Sequence, residues 1–213
     1  MTTYIGTPTS RVDGRAKVTG AAQYAAEFAA PDLVYGNVVT STISKGRIKR
    51  IDASRALAVE GVIDVLTHEN RPKMAGADKG YHDDVAPEGS PFRPLYDDKI
   101  LYSGQPVALV VAEDFDTARH AATLVKVDYE VEAPTVDLTK VGDFAYDPPM
   151  KRNGIKPPPK PWGDADAAFD TSAVKVREQY TLATEHHNPM EPHASTVIVE
   201  EDGTYAVYDK IQG

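Results

Sequence analysis

The stretch "GQPVALVVAEDFDTARHAATLVKVDYE", residues 104–130, decides how the chain folds. Residues 107–112 are uninterruptedly apolar and β-branched-rich, which predicts a buried strand. Asp114 or Asp116 is then placed to cap a helix running to about residue 125. Phe115, Ala118, Ala121, Ala122 and Val125 recur at helical spacing and would form its inward stripe. Residues 126–131, "KVDYEV", alternate and predict a second strand. The strand–helix–strand order makes the surrounding region an α+β unit.

Upstream, the pattern extends this unit. "LVYGNVVTSTI" (33–43) is β-rich and roughly alternating. "ASRALAVE" (53–60) follows Asp52, a good N-cap, and precedes Gly61, a good C-terminal stop, so a short helix is expected there. "VIDVLT" (62–67) reads as a buried strand. "AAQYAAEF" (21–28) is ambiguous between strand and helix. Residues 68–97 carry Pro, Gly, Asp and His without periodicity and read as a long loop.

Downstream of about residue 140 the character changes. "DPPMKRNGIKPPPKPWG" (147–163) is proline-rich and extended in character. "DADAAFDTS" (164–172) predicts one or two helical turns. "AVKVREQYTLAT" (173–184) places Val174, Val176, Glu178, Tyr180 and Leu182 on one face and reads as a strand. Asp202-Gly203, between two β-type runs, predicts a hairpin. These pieces are too few for an independent core. The expected division is an arm at 1–19, an α+β domain at 20–140, a linker at 141–165 and an incomplete second domain at 166–213.

Composition narrows the function classes. The net charge of −9 over 213 residues opposes nucleic-acid binding, which needs a surplus of lysine and arginine. The one basic run, "KGRIKR" at 45–50, reads as the solvated face of a strand or turn. The chain has no cysteine, which excludes thiolate metal sites, cysteine nucleophiles and iron–sulfur ligation by its own residues. No apolar run approaches the roughly 20 residues needed to span a bilayer. The N-terminus has no secretory h-region, so the cytoplasm is the expected compartment, or the periplasm if the protein is exported within a complex. "GQPVALVVAED" lacks a GxGxxG turn, and no P-loop or GxSxG elbow is present.

The densest cluster of chemistry-bearing residues is "EHHNPMEPHAS", 185–195. If its second half is extended, Glu191 and His193 share a face. His186 and His187 are adjacent and point apart, so at most one could join them. No HExxH spacing is present, and two prolines remove backbone donors. The reading favoured is a hydrogen-bonded polar loop with no metal ligands. A small zinc hydrolase stands as a competing reading. The acidic pairs Asp83-Asp84 and Asp97-Asp98 read as solvated loop charge, and Tyr35, Tyr129, Tyr205 and Tyr208 as packing residues.

Four ordered segments together resemble the molybdenum-binding subunit of the xanthine dehydrogenase and aldehyde oxidase family. "RVDGRAKVTGAAQY" (11–24) is similar to that family's R-x-D-G-x-x-K-x-T-G-x-A-x-Y entry pattern. "LVYGNVVTSTISKGRIKRIDASRALAVEGVIDVLT", "SGQPVALVVAEDFDTARHAATLVKVDYE" and "HHNPMEPHAS" resemble the segments that follow it. The three-subunit aldehyde oxidoreductases look nearest.

The resemblance implies an α/β hammerhead domain followed by the start of a molybdopterin-binding domain. It implies oxidative hydroxylation of an aldehyde or N-heterocycle with water-derived oxygen. Electrons would pass to iron–sulfur and FAD partner subunits. The cofactor implied is molybdenum held by molybdopterin, in its cytosine dinucleotide form. It implies that Gln212, in "YDKIQG", lies near the apical oxo ligand of molybdenum, where its amide could donate a hydrogen bond. Glu191 and His193 match the family's loop and would organise it. The family's glycine-rich pterin loop and its general-base glutamate find no match here, so no catalytic set is complete. These residues are expected to be roughly the first third of such a subunit, inert alone and binding no pterin without the rest of that subunit. The rival expectation from another class is a stand-alone, non-catalytic interaction module with the hammerhead fold.

Overall fold

A computed structural model describes residues 5–73, 93–144 and 162–210. The elements in chain order begin with α1 (Gly14–Thr19), β1 (Tyr35–Thr40), β2 (Gly46–Asp52), α2 (Ser54–Leu57) and β3 (Val62–Thr67). They continue with β4 (Lys99–Ile100), β5 (Pro106–Ala112), α3 (Phe115–Ala122) and β6 (Lys126–Val131). The last are α4 (Ala165–Thr171), β7 (Ser195–Val199) and β8 (Tyr205–Asp209). The chain divides into two units, one of residues 34–173 and one joining 1–33 to 174–213.

The larger unit is built on β5. This strand is central in an antiparallel sheet of order β1-β5-β3, with Val38 opposite Leu109 and Leu109 opposite Leu66. A second antiparallel sheet has the order β4-β2-β6. The strands on either side of α3 therefore lie in different sheets, and the strand–helix–strand order makes no parallel crossover.

The apolar run of β5 is explained by two clusters. Ala108 and Val110 are buried with Ala56, Val65 and Ala121. Val107, of opposite parity along the strand, is buried with Ile48 and Ile100. A strand used on both faces needs apolar residues at consecutive positions rather than alternate ones. Alanine at positions 56, 108, 112, 118 and 121, all fully buried, keeps the side chains between helix and sheet short.

Helix α3 starts where its cap predicts. The Asp114 carboxylate accepts from Thr117 N at 2.8 Å and from the Thr117 hydroxyl. These contacts hold the Asp114 carboxyl below its usual value, the hydroxyl contributing most. The helix ends at Ala122, short of the expected residue 125, because Leu124 and Val125 turn to pack on the first cluster ahead of β6. Helix α2 is likewise shorter than 53–60. Asp52 is not its N-cap by geometry, since Ala53 holds that place, but the Asp52 carboxylate accepts from Ser54 N at 3.1 Å.

The basic run at 45–50 lies largely on β2. Arg47 pairs with Asp98 at 2.8 Å, which raises the arginine's pKa, so Asp98 is more than solvated loop charge. Gln105 is a buried polar residue that sequence reading passed over. Its amide oxygen accepts from Leu101 N at 2.8 Å and its amide nitrogen donates to Lys99 O at 2.6 Å, fixing the turn between β4 and β5. The loop expected at 68–97 and the proline-rich linker fall mostly outside the described residues.

One expected strand is absent. Residues 173–184 form no strand, and Val174, Val176, Tyr180 and Leu182 are 83%, 69%, 84% and 93% exposed. Alternation supplies a strand's face but not its hydrogen-bonding partner, and no described strand pairs with this segment. No helix among the described residues is long and apolar enough to cross a membrane.

Candidate functional site

The "RVDG" motif builds the first turn of the smaller unit. Asp13 sits at the start of α1, between Arg11 at 2.6 Å and Lys17 at 2.6 Å. The two cations, Lys17 first, hold its carboxyl down to about 2. Thr19 Oγ1 donates to Arg15 O at 2.8 Å, and Gly20, at φ +75°, ends the helix in the left-handed conformation. The motif's residue types are thus consumed by a capped helical turn.

The β7–β8 hairpin is set by its turn. Gly203 has φ +82° and Gly203 N donates to Glu200 O at 2.9 Å. The Asp202 carboxylate accepts from Thr204 N at 2.9 Å and from the Thr204 hydroxyl at 2.6 Å. These bonds lower the Asp202 pKa, the hydroxyl first. The pairing runs Thr196 to Tyr208 and Ile198 to Ala206 on one face, and Val197 to Val207 and Val199 to Tyr205 on the other.

The inward face is the one the hydrophobic pattern would not choose. Val197, Val199, Tyr205 and Val207 are exposed, whereas Thr196 is buried and Ile198, Ala206 and Tyr208 are half-buried. What covers them is the N-terminal segment. A 3-10 turn, Ala25–Glu27, is closed by Tyr24 N donating to the Glu27 carboxylate at 2.6 Å. Ala25 then makes two contacts across the unit: its carbonyl accepts from Thr196 Oγ1 at 2.8 Å, and its N–H donates to Glu191 Oε1 at 3.0 Å. Phe28 stacks on Tyr208 with ring centroids 3.8 Å apart and 13° between planes.

The structure separates the residues of the histidine-rich segment. Glu191 is half-buried; besides Ala25 N, its carbonyl accepts from Lys210 Nζ at 3.3 Å. His186, His187 and His193 are exposed. No three His, Asp or Glu side chains converge on a metal position among the described residues. Gln212 lies outside them. Sequence reasoning found Glu191 but missed Thr196, Phe28 and the backbone of Ala25. No local signal marks Thr196, since the alternating pattern puts it on the face opposite the apolar Val197, Val199 and Val207. The two tyrosines of the hairpin part company: Tyr208 packs, while Tyr205 is exposed.

Molybdopterin, the cofactor implied by the resemblance, is not fitted by the described residues alone. The 185–194 loop is open to solvent apart from half-buried Pro189, Glu191 and Ala194, and the donors around Ala25 are spent on one another.

Comparison with known families and proteins gives concordant results. Residues 19–133 match the model of the aldehyde oxidase and xanthine dehydrogenase a/b hammerhead domain. Residues 148–213 match the model of the molybdopterin cofactor-binding domain. The chain is 36% identical, over 91% of its length, to the aldehyde oxidoreductase molybdenum-binding subunit PaoC of Escherichia coli K12, covering 25% of that protein. It is 32% identical, over 93% of its length, to the gamma subunit of the 6-hydroxypseudooxynicotine dehydrogenase complex of Paenarthrobacter nicotinovorans, again covering 25%. The aldehyde oxidoreductase of Desulfovibrio gigas shares the fold, with a TM-score of 0.67 and 24% identity over 92% of this chain and 22% of that one. The chain thus spans about a quarter of the length of these relatives, against the third expected.

Proposed function

The chain belongs to the aldehyde oxidase and xanthine dehydrogenase family, and from that premise we propose that it forms the N-terminal part of a molybdenum hydroxylase large subunit. The observation that carries the reading is the order of two family models on one chain, hammerhead first and cofactor-binding domain second. The proposed division keeps an arm at 1–19, the hammerhead at 20–140, a linker at 141–165 and the beginning of the cofactor-binding domain at 166–213.

The activity is oxidative hydroxylation of an aldehyde or N-heterocycle. Names of relatives support both classes: one is an aldehyde oxidoreductase subunit, another a nicotinate dehydrogenase subunit. Bound molybdopterin, in the cytosine dinucleotide form, supplies the redox and oxygen-transfer chemistry. Iron–sulfur and FAD subunits in the cytoplasm take the electrons, which suits a chain without cysteine.

This chain's own contribution is placement. Gln212 follows β8 in sequence, and by family resemblance its amide would donate a hydrogen bond toward the cofactor. Glu191 ties the preceding loop to Ala25 and Lys210, and His193 belongs to the same loop. The chain matches about a quarter of its relatives' length, and the remainder of the subunit would supply the rest of the cofactor's enclosure and the general base.

The test is aldehyde-dependent dye reduction by the chain assembled with the rest of the subunit and its partners. Gln212→Ala should lower kcat about tenfold or more, the loss of one well-placed donor. An unchanged rate removes the role assigned to Gln212.

A further inference from the structure

The N-terminal segment and the hairpin are separated by about 170 residues, yet one rung of the hairpin is held from both sides by the same few residues. Thr196 and Tyr208 face each other across β7 and β8. Thr196 is bonded to Ala25 O, and Tyr208 is stacked on Phe28, three residues further along. Ala25 also engages Glu191, and Lys210, two residues beyond Tyr208, holds the Glu191 carbonyl. The attachments therefore close a circuit from the 3-10 turn to β7, across to β8, on to Lys210, through Glu191 and back to Ala25.

Each attachment does something burial alone would not. A two-stranded hairpin is marginal in water without a covered face. Here that face carries a hydroxyl, which is tolerated in a buried position only because Ala25 O accepts from it. The hydroxyl also fixes the height of the turn along β7, since a one-residue slip would point Thr196 to solvent. Outside this circuit the hairpin's other face is exposed.

We propose that Tyr24–Phe28 is a strap that positions the end of β8, with Thr196 as its positioning residue. The N-terminal segment is then a working part of the cofactor-binding unit, although the hammerhead model begins at residue 19. The functional consequence rests on the reading above that β8 leads to Gln212.

Hydrogen exchange on the 213-residue chain tests the strap without any cofactor. Thr196→Val keeps the shape and removes the hydroxyl; Phe28→Leu keeps an apolar side chain and removes the stack. Each should speed exchange of the β8 amides about tenfold, the scale of one buried hydrogen bond or aromatic pair. Protection in β5 should be unchanged, which shows that the larger unit remains folded. Thr196→Ser should restore β8 protection. Unchanged exchange at 205–209 in both variants overturns the proposal.

In the assembled enzyme, Thr196→Val should lower kcat per bound molybdenum about tenfold with KM unchanged, and Thr196→Ser should recover it. A loss that tracks only molybdenum content overturns the positioning role. Failure of the molybdenum reading would appear differently, as wild-type protein without metal or turnover, and would leave the exchange result standing.

Discussion

Gly46→Ala should be among the most damaging single-methyl additions in the larger unit. Gly46 opens β2, buried, with Val131 of β6 on one side and Ile100 of β4 on the other. Its φ is +146°, a conformation that side-chain-bearing residues rarely adopt. A Cβ there would lie 2.1 Å from Glu130 O and 3.0 Å from Ile43 Cδ1. The first neighbour is backbone, so β6 itself must retreat by about 1 Å, loosening the rung that joins the second sheet. Backbone strain of about 1–3 kcal/mol adds to one or two weakened ladder bonds at about 1 kcal/mol each, giving roughly 2–5 kcal/mol. Gly104→Ala is the control: its φ is +81° but nothing lies within 4 Å, so only strain of about 1–2 kcal/mol is expected. Urea unfolding followed by circular dichroism measures both. Equal midpoints for the two variants would refute the argument that the Glu130 carbonyl leaves no room for a side chain.

Val110→Ala, at the centre of the first core cluster, should cost about 2–3 kcal/mol in the same assay, whereas the exposed Val174→Ala should change stability by less than about 0.5 kcal/mol. Ala118→Leu should destabilise by about 1–3 kcal/mol, because a fully buried alanine in α3 leaves no volume for the added atoms. Asp13 should titrate near 2 by carboxyl NMR against an unfolded value of 3.8; its support of α1 is then complete above pH 3.8 and lost as pH falls through about 2. Titration of Asp13 near 3.8 would show that Lys17 and Arg11 do not hold it.

Much of the larger unit was legible because its signals are local. The apolar run of β5 and the Asp114 cap act within a few residues, and each appears where the sequence places it; Gly61 turns the chain into β3 at φ +86° but does not end α2, which stops at Leu57 with Ala58 as its C-cap. The separation of β5 and β6 into two sheets was not legible, since pairing depends on long-range partners rather than on local pattern. The same limit explains residues 173–184, where alternation exists and a partner strand does not.

The hairpin shows the harder case. Its turn was readable from Asp202-Gly203, yet its apolar face, Val197, Val199 and Val207, is the outward one. Nothing near Thr196 announces that a carbonyl 171 residues away will bond to it. Glu191 was singled out by residue type, but its partner is a backbone N–H, and backbone groups leave no trace in composition. Gln212 rests on family resemblance and lies outside the described residues.

On the reading proposed above, this chain supplies placement and depends on further polypeptide for its cofactor. Molybdenum and pterin content, measured by elemental analysis and by fluorescence of released pterin, tests it most directly. About one molybdenum per chain is expected in the assembled subunit, and none retained by the 213-residue chain purified alone. Stoichiometric molybdopterin on the isolated chain, with oxidation of an aldehyde, would contradict it.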